Sequence, residues 1–335
     1  MYQITNFLNF HNMKRIFLTM AIAAGILVGC QNNEQNPNSE PELEAINLQK
    51  AEKQCFTNDV LEANMAMDPS LKGKMENIES FTASYLEKIA KGEVQARLVN
   101  GKIQIPVVYH VIYRQASENL SLSVLQDQID AMNEDFNMQN PNRGAMPAEF
   151  AGVEANVNID FVIEDVIRVQ NKQKRSWRPD DSMKFTSSGG SDVVNPQEFL
   201  NIWIVNVMPY RGGQILGYAQ FPGGSWSTDG VVLAHQFVGR NQRTATHEVG
   251  HYLNLRHIWG DGGCGASDFV ADTPDADGNS RGCPTYPVIE CGSANMTMNF
   301  MDYSDDTCMY MFTEGQKARM DAVFAPGGFR ATMAD

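Results

Sequence analysis

The chain has 335 residues, 43% of them hydrophobic, enough for one sizeable domain plus a smaller segment. Its formal net charge of −14 argues against nucleic-acid binding, which needs a basic surface, and fits an exposed, soluble body. Histidine and cysteine number only six each, so a cluster of either carries information.

Lys14 and Arg15 precede an apolar run, IFLTMAIAAGILVG, over residues 16–29. The run is too short for a comfortable membrane span and has the shape of a signal peptide. It ends in Leu27-Val28-Gly29-Cys30, which resembles a bacterial lipobox. That resemblance implies a lipid on Cys30 and an exported lipoprotein at the outer membrane or cell surface, held to the membrane through that lipid only. Gln31 is not the acidic residue associated with inner-membrane retention, which leans the same way. Met13 makes a better start than Met1, because MKRIFL is how such signals open. Residues 1–29 are therefore expected to be a lipoprotein signal peptide. Residues 30–44, polar and proline-containing, are expected to be a disordered tether. Export makes disulfides permissible.

Residues 45–95 read as helical, with Ile78, Phe81, Tyr85 and Ile89 on one face and Gly92 near the stop. The pattern then changes. KIQIPVVYHVIYR (102–114) is rich in β-branched and aromatic residues and predicts a strand. A helix follows, with Leu125, Ile129, Met132 and Phe136 on one stripe and Ser121 or Ser123 as its cap. Val157 to Ile163 alternates as a strand. FLNIWIVNV (199–207), ILGYAQFP and DGVVLAHQF predict three more, and His110 and His235, on predicted strands, are read as structural. A helix then carries THEVGHYLNLRHIWG (246–260), and TEGQKARMDAVF (313–324) is the last, capped by Thr313. There are no internal repeats. The β-α-β-β-β-α order predicts an α/β fold: a mixed twisted sheet with the histidine-bearing helix behind it.

That helix holds three of the six histidines. His247 and His251, four apart, share one face and are able to share a cation, as in the H-E-x-x-H pattern of zinc peptidases. On a straight helix His257 would lie about 9 Å further along the axis than His251, rotated by about 120°. The helix must therefore break, and Asn254 is the candidate, since Asn enters the left-handed conformation cheaply. Three neutral imidazoles leave one zinc position open, the arrangement of catalytic zinc. Glu248 follows the first ligand and is placed to act as general base toward water without ligating.

With these residues the sequence resembles a metzincin, and more narrowly the pappalysin family, over roughly residues 50–325. HEVGHYLNLRH (247–257) is the zinc signature, with Asn254 where the family usually has Gly. NFMDYSDD (299–306) resembles the Met-turn. The likeness implies Met301 as an apolar cushion beneath the zinc ligands and Tyr303 beside the metal, helping to hold the oxyanion. In CGASDFVADTPDADGNSRGCP (264–284), hard oxygen ligands crowd the loop, and the resemblance implies a structural calcium near Asp268 and Thr273, with Asp272 a further candidate. Four cysteines follow the zinc helix and permit three pairings. The family's spacing implies Cys264–Cys291 and Cys283–Cys308, staples for a loop-rich lower part. Cys55 stands in a basic-Cys-x-Thr setting similar to the family's cysteine switch, with Phe56 where Gly is usual. A thiolate at the fourth zinc position would silence the enzyme. GQILGYAQFP (213–222) would be the upper-rim edge strand, where an extended peptide pairs by main-chain hydrogen bonds.

The expected protein is thus an exported, lipid-anchored zinc endopeptidase made as a zymogen, acting on protein or peptide substrates. Residues 45–96 would be the pro-segment, 97–325 the catalytic domain, divided near residue 257 into upper and lower parts, and 326–335 a tail. Family members favour basic residues just after the cut, which suits self-cleavage at Ala96–Arg97. Asp305 and Asp306 are candidates for making the primed pocket acidic, while Thr307 beside them is neutral. Two rival expectations are a surface-binding lipoprotein that has lost turnover and a zinc hydrolase of a non-peptide substrate.

Overall fold

A computed structural model describes residues 55–93, 102–211 and 213–334. The expected signal peptide, the tether, Cys30 and the Ala96–Arg97 bond lie outside the described residues. Within them no helix is long and apolar enough to cross a membrane.

The expected N-terminal helical stretch is two helices, α1 (Thr57–Met67) and α2 (Ser70–Ala90). Tyr85 of α2 is buried, with Phe81 and Ile89 packed beside it, so the stripe seen in the sequence is the docked face. Strand β1 (Ile103–Tyr113) follows, then α3 (Leu122–Phe136) and β2 (Ile159–Gln170). Ser121 is the cap of α3, accepting from Val124 N. Leu125, Ile129, Met132 and Phe136 are almost wholly buried against the sheet. Strand β2 runs seven residues past the expected end at Ile163, because it pairs with β1 along its whole length.

Then come β3 (Leu200–Val205), a small hairpin of β4 (Pro209–Tyr210) and β5 (Gly213–Gln214), β6 (Gly217–Ala219) and β7 (Val231–Ala234). The main sheet has the order β2-β1-β3-β7-β6. Its first four strands are parallel, and β6 is the antiparallel edge. β1 and β3, between covered faces, are the near-continuous apolar runs expected of buried parallel strands. The edge strand is three residues rather than the ten of GQILGYAQFP. Gly213 and Gln214 are taken by β4, and beyond β6 the Gln220 side chain turns to Ser225 and Asp229.

His110 lies on β1 and bonds Ser191 Oγ and Asn201 Oδ1. His235 is not on a strand but in a 3-10 turn just after β7, bonded to Asn206 O. Helix α4 (Thr244–Tyr252) crosses behind the sheet. The lower part contains a short hairpin, β8 (Ile289–Glu290) with β9 (Ser293–Ala294), and ends in α5 (Glu314–Phe324). Thr313 and Gln316 form a reciprocal capping box at the start of α5. Disulfides join Cys264 to Cys291 and Cys283 to Cys308. Residues 326–334 are not loose: Arg330 is fully buried, bidentate to Asp229 and bonded through Nε to Tyr252 O.

Candidate active site

Helix α4 is capped at Leu253, and the next residue, Asn254, has φ 74°, the left-handed turn that brings the chain back. His257 thereby faces the two helical histidines. His251 Nε2 lies 3.2 Å from His247 Nε2 and 3.1 Å from His257 Nε2. The outer nitrogens are all spoken for: His247 Nδ1 meets Phe300 O, His251 Nδ1 meets Leu255 O and His257 Nδ1 meets Asp261 Oδ1. These acceptors place the proton on Nδ1 in each ring and leave three bare Nε2 lone pairs converging. Lone pairs so close repel one another unless a cation lies between them. Ligand atoms about 2.0–2.1 Å from a tetrahedral zinc stand about 3.3 Å apart, so the donor set fits that ion. Cys55 Sγ joins them, the four donor atoms lying within 4.8 Å of one another. Burial and the two neighbouring imidazoles hold His251 well below the usual imidazole range, which keeps it neutral and fit to ligate.

Glu248 is buried between the first two histidines and the edge strand. Burial raises its carboxyl to about 8, against hydrogen bonds from Thr57 and Cys55 that pull it down. Thr57 Oγ1 donates to Glu248 Oε2 at 2.9 Å and accepts from Ala219 N of β6 at 2.8 Å. Cys55 Sγ lies 3.3 Å from the same Glu248 oxygen, and burial pushes its thiol well up. Phe56 N bonds Gly217 O, and Cys55 pairs with Gly217 in the parallel sense. The segment 55–57 thus covers the carboxylate and the open edge of the sheet together.

Met301 is wholly buried against α4, so close to Gly250 that a Cβ there would sit 2.4 Å from Met301 Sδ. An alanine in the middle of α4 would therefore force the Met301 side chain to move. Tyr303 stands over the rings of His247, His257 and Trp259, and its hydroxyl donates to Cys55 O. A narrow cavity of about 20 Å³ beside the site is lined by Leu216, Arg243, His247, Tyr303, Asp306 and Met309, with Cys55 also against it. Asp306 thus reaches the pocket. Arg243, of opposite sign, is paired 2.8 Å from buried Asp135.

The loop residues fall differently. Asp268 and Thr273 are together, Thr273 Oγ1 donating to Asp268 Oδ2, and burial raises the Asp268 carboxyl to about 6. Asp272 spends both oxygens on the start of α5, accepting from Thr313 Oγ1 and Gly315 N. Among the described residues the Cys55–His247–His251–His257 set is the one cluster of such side chains suited to a metal. Sequence motifs do not single out Asp261, although its place four residues after His257 is a usable signal. The switch motif includes Thr57, but spacing gives it no partner, because Glu248 and Ala219 lie far along the chain.

Fold and site define a metzincin-type zinc metalloendopeptidase. A family model described as Pregnancy-associated plasma protein-A, a peptidase family, matches residues 188–325. An extracellular metalloprotease of Pyricularia oryzae is 31% identical over 267 residues, 73% of this chain and 82% of that protein. Another, of Coccidioides posadasii, is 30% identical over 75% of this chain and 88% of its own. Mature mirolysin of Tannerella forsythia in complex with a cleaved peptide is 37% identical, with a TM-score of 0.66 over 70% of this chain and 96% of that one. A promirolysin mutant is 33% identical, with a TM-score of 0.72 over 84% and 96%. The chain belongs to the pappalysin family of metallopeptidases.

Proposed function

We propose that this chain is an exported endopeptidase made as a cysteine-switch zymogen, with His247, His251 and His257 holding zinc and Glu248 as general base. The observation that carries the reading is the convergence of three Nδ1-tethered imidazoles with Cys55 and Glu248 at one point. When bound, zinc supplies a Lewis acid that polarises the scissile carbonyl and makes water a ready nucleophile. The protein's residues do the rest. Glu248 Oε2 takes a proton from the attacking water and passes it to the leaving amine. The Tyr303 hydroxyl, bonded to Cys55 O in the latent chain, is freed to meet the developing oxyanion. An extended substrate pairs with the backbone of β6 where Phe56 now does.

Residues up to about 96 act as the pro-segment, and Ala96–Arg97 is the activation bond. Asp306 in the pocket wall supports a preference for a basic residue after the cut, as does Arg97 itself. The relatives named extracellular agree with export. A lipid on Cys30 would anchor the latent form, and the cut would sever the covalent link between the catalytic domain and that lipid. Asp268 and Thr273 support a calcium site; calcium should raise the melting temperature, and Asp268→Ala should abolish the rise.

The test is intact mass and N-terminal mapping of residues 31–335 with Cys30→Ser, incubated with zinc and calcium beside its Glu248→Ala form. Trimming between the pro-segment and β1 in the parent, with the Glu248→Ala form intact, is the expected result. Neither form changing, even with Cys55→Ala and zinc bound, would favour a binding protein or a non-peptide hydrolase.

A further inference from the structure

Helix α2 reaches the metal site from behind. Arg319 of α5 donates from Nη1 and Nη2 to the two carboxylate oxygens of Glu79, 3.0 Å each. The same guanidinium donates from Nε and Nη2 to Asn254 O, the carbonyl of the turn that aims His257. The Arg319 side chain is 2% exposed and Glu79 is 21% exposed. Arg256 approaches Glu79 to 4.0 Å, and its Cζ lies 4.1 Å from the centroid of the Phe221 ring. Beside them Asn254 Nδ2 reaches Thr82 Oγ1 of α2.

The apolar packing around this contact is incomplete. Phe81 and Tyr85 rest on Ala322 and Ala325, yet a cavity of about 180 Å³ remains, lined by Ile78, Phe81, Thr82 and Val323. What is specific about the seat of α2 is therefore a carboxylate between two arginines, one of them already fixed by a backbone carbonyl. A planar guanidinium held in place loses little freedom on taking a carboxylate in both prongs.

We propose that Arg319 and Arg256 form a carboxylate-binding site on the back of the metal turn, and that the pro-segment, once cut, stays seated there through Glu79 as a separable inhibitor. The proposal rests on the zymogen reading above. The contacts of Cys55, Phe56, Thr57, Glu79 and Thr82 all precede residue 94. A cut between residues 93 and 102 breaks none of them. Processing and activation are then two events, and the second is dissociation of α2 from the arginine pair. A lipid on Cys30 would retain the cut enzyme until that step.

The experiment uses the full chain carrying Glu248→Gln, with residues 94–100 replaced by the recognition sequence of an unrelated protease. The cut is thus supplied from outside, so failure of the chain to process itself would count against the proposed function and leave this test standing. After complete cutting with zinc present, co-elution of the two fragments is followed by gel filtration over a dilution series. The N-terminal fragment is expected to stay bound at micromolar concentration, and Glu79→Gln to raise its Kd by about tenfold to a hundredfold. Immediate separation of the parent fragments would overturn the proposal. So would an unchanged Kd for Glu79→Gln. Circular dichroism of the uncut chain checks that Glu79→Gln folds; if it does not, Arg319→Lys, which keeps the charge and loses the fork, must show the same weakening, and an unchanged Kd there would overturn the proposal equally.

Discussion

Replacing Thr57 with valine removes one hydroxyl and almost no volume from a fully buried position. Three partners lose it, Cys55 Sγ at 3.2 Å among them. Glu248 Oε2 loses a donor at 2.9 Å, and Ala219 N loses its acceptor at 2.8 Å. A hydrogen bond to a charged group contributes about 1.5–3 kcal/mol, and a stranded buried amide costs about 1–3 kcal/mol. Cys55 still faces the carboxylate, so we take a net loss of about 3 kcal/mol, or roughly a hundredfold more undocked pro-segment. The assay is cleavage of an internally quenched peptide by freshly purified, uncut chain. Thr57→Val should leak activity at once and process itself faster, while Thr57→Ser, which keeps the hydroxyl, should remain latent. A valine variant as silent as the parent, with its cut delayed equally, would refute the bridging role.

Gly250→Ala should lose about 1–3 kcal/mol in urea unfolding, because the added Cβ drives into Met301 Sδ in a packed core. Asp306→Asn should lower kcat/KM about tenfold for peptides with Arg or Lys after the cut and leave neutral peptides unchanged; equal losses for both would remove Asp306 from specificity. Asp321 on α5 is buried with Oδ1 unpartnered, and burial raises its carboxyl to about 6. The folded chain therefore holds this proton more tightly than the unfolded one, and its contribution, full below about pH 4, is lost as pH rises through about 6. Asp321→Asn should flatten that fall by about 2 kcal/mol, read from urea midpoints at pH 4 and 7.5; a parallel fall in parent and variant would contradict it.

The zinc helix was legible because its information is local. Spacing of four puts two imidazoles on one face, and Asn254 was the cheap place to turn. Apolar stripes likewise revealed α2 and α3, since a buried face must repeat with the helix. What stayed hidden depends on distant partners. Thr57 meets Glu248 across 191 positions, and Glu79 meets Arg319 across 240; no spacing rule joins them. Arg330 looked like part of a tail, yet it closes on Asp229 beneath the end of α4. The edge strand was overread because GQILGYAQFP has strand composition throughout, while its ends are claimed by a hairpin and by a turn at Gln220.

The central claim is that Cys55 and the three histidines share one zinc in the latent chain. X-ray absorption at the zinc edge of the uncut, zinc-loaded protein tests it most directly. Three nitrogen scatterers at about 2.0–2.1 Å and one sulfur at about 2.3 Å are expected, with the sulfur absent from Cys55→Ala and lost once the pro-segment departs. A latent chain whose zinc shows no sulfur, or whose zinc leaves the spectrum unchanged in Cys55→Ala, would contradict it.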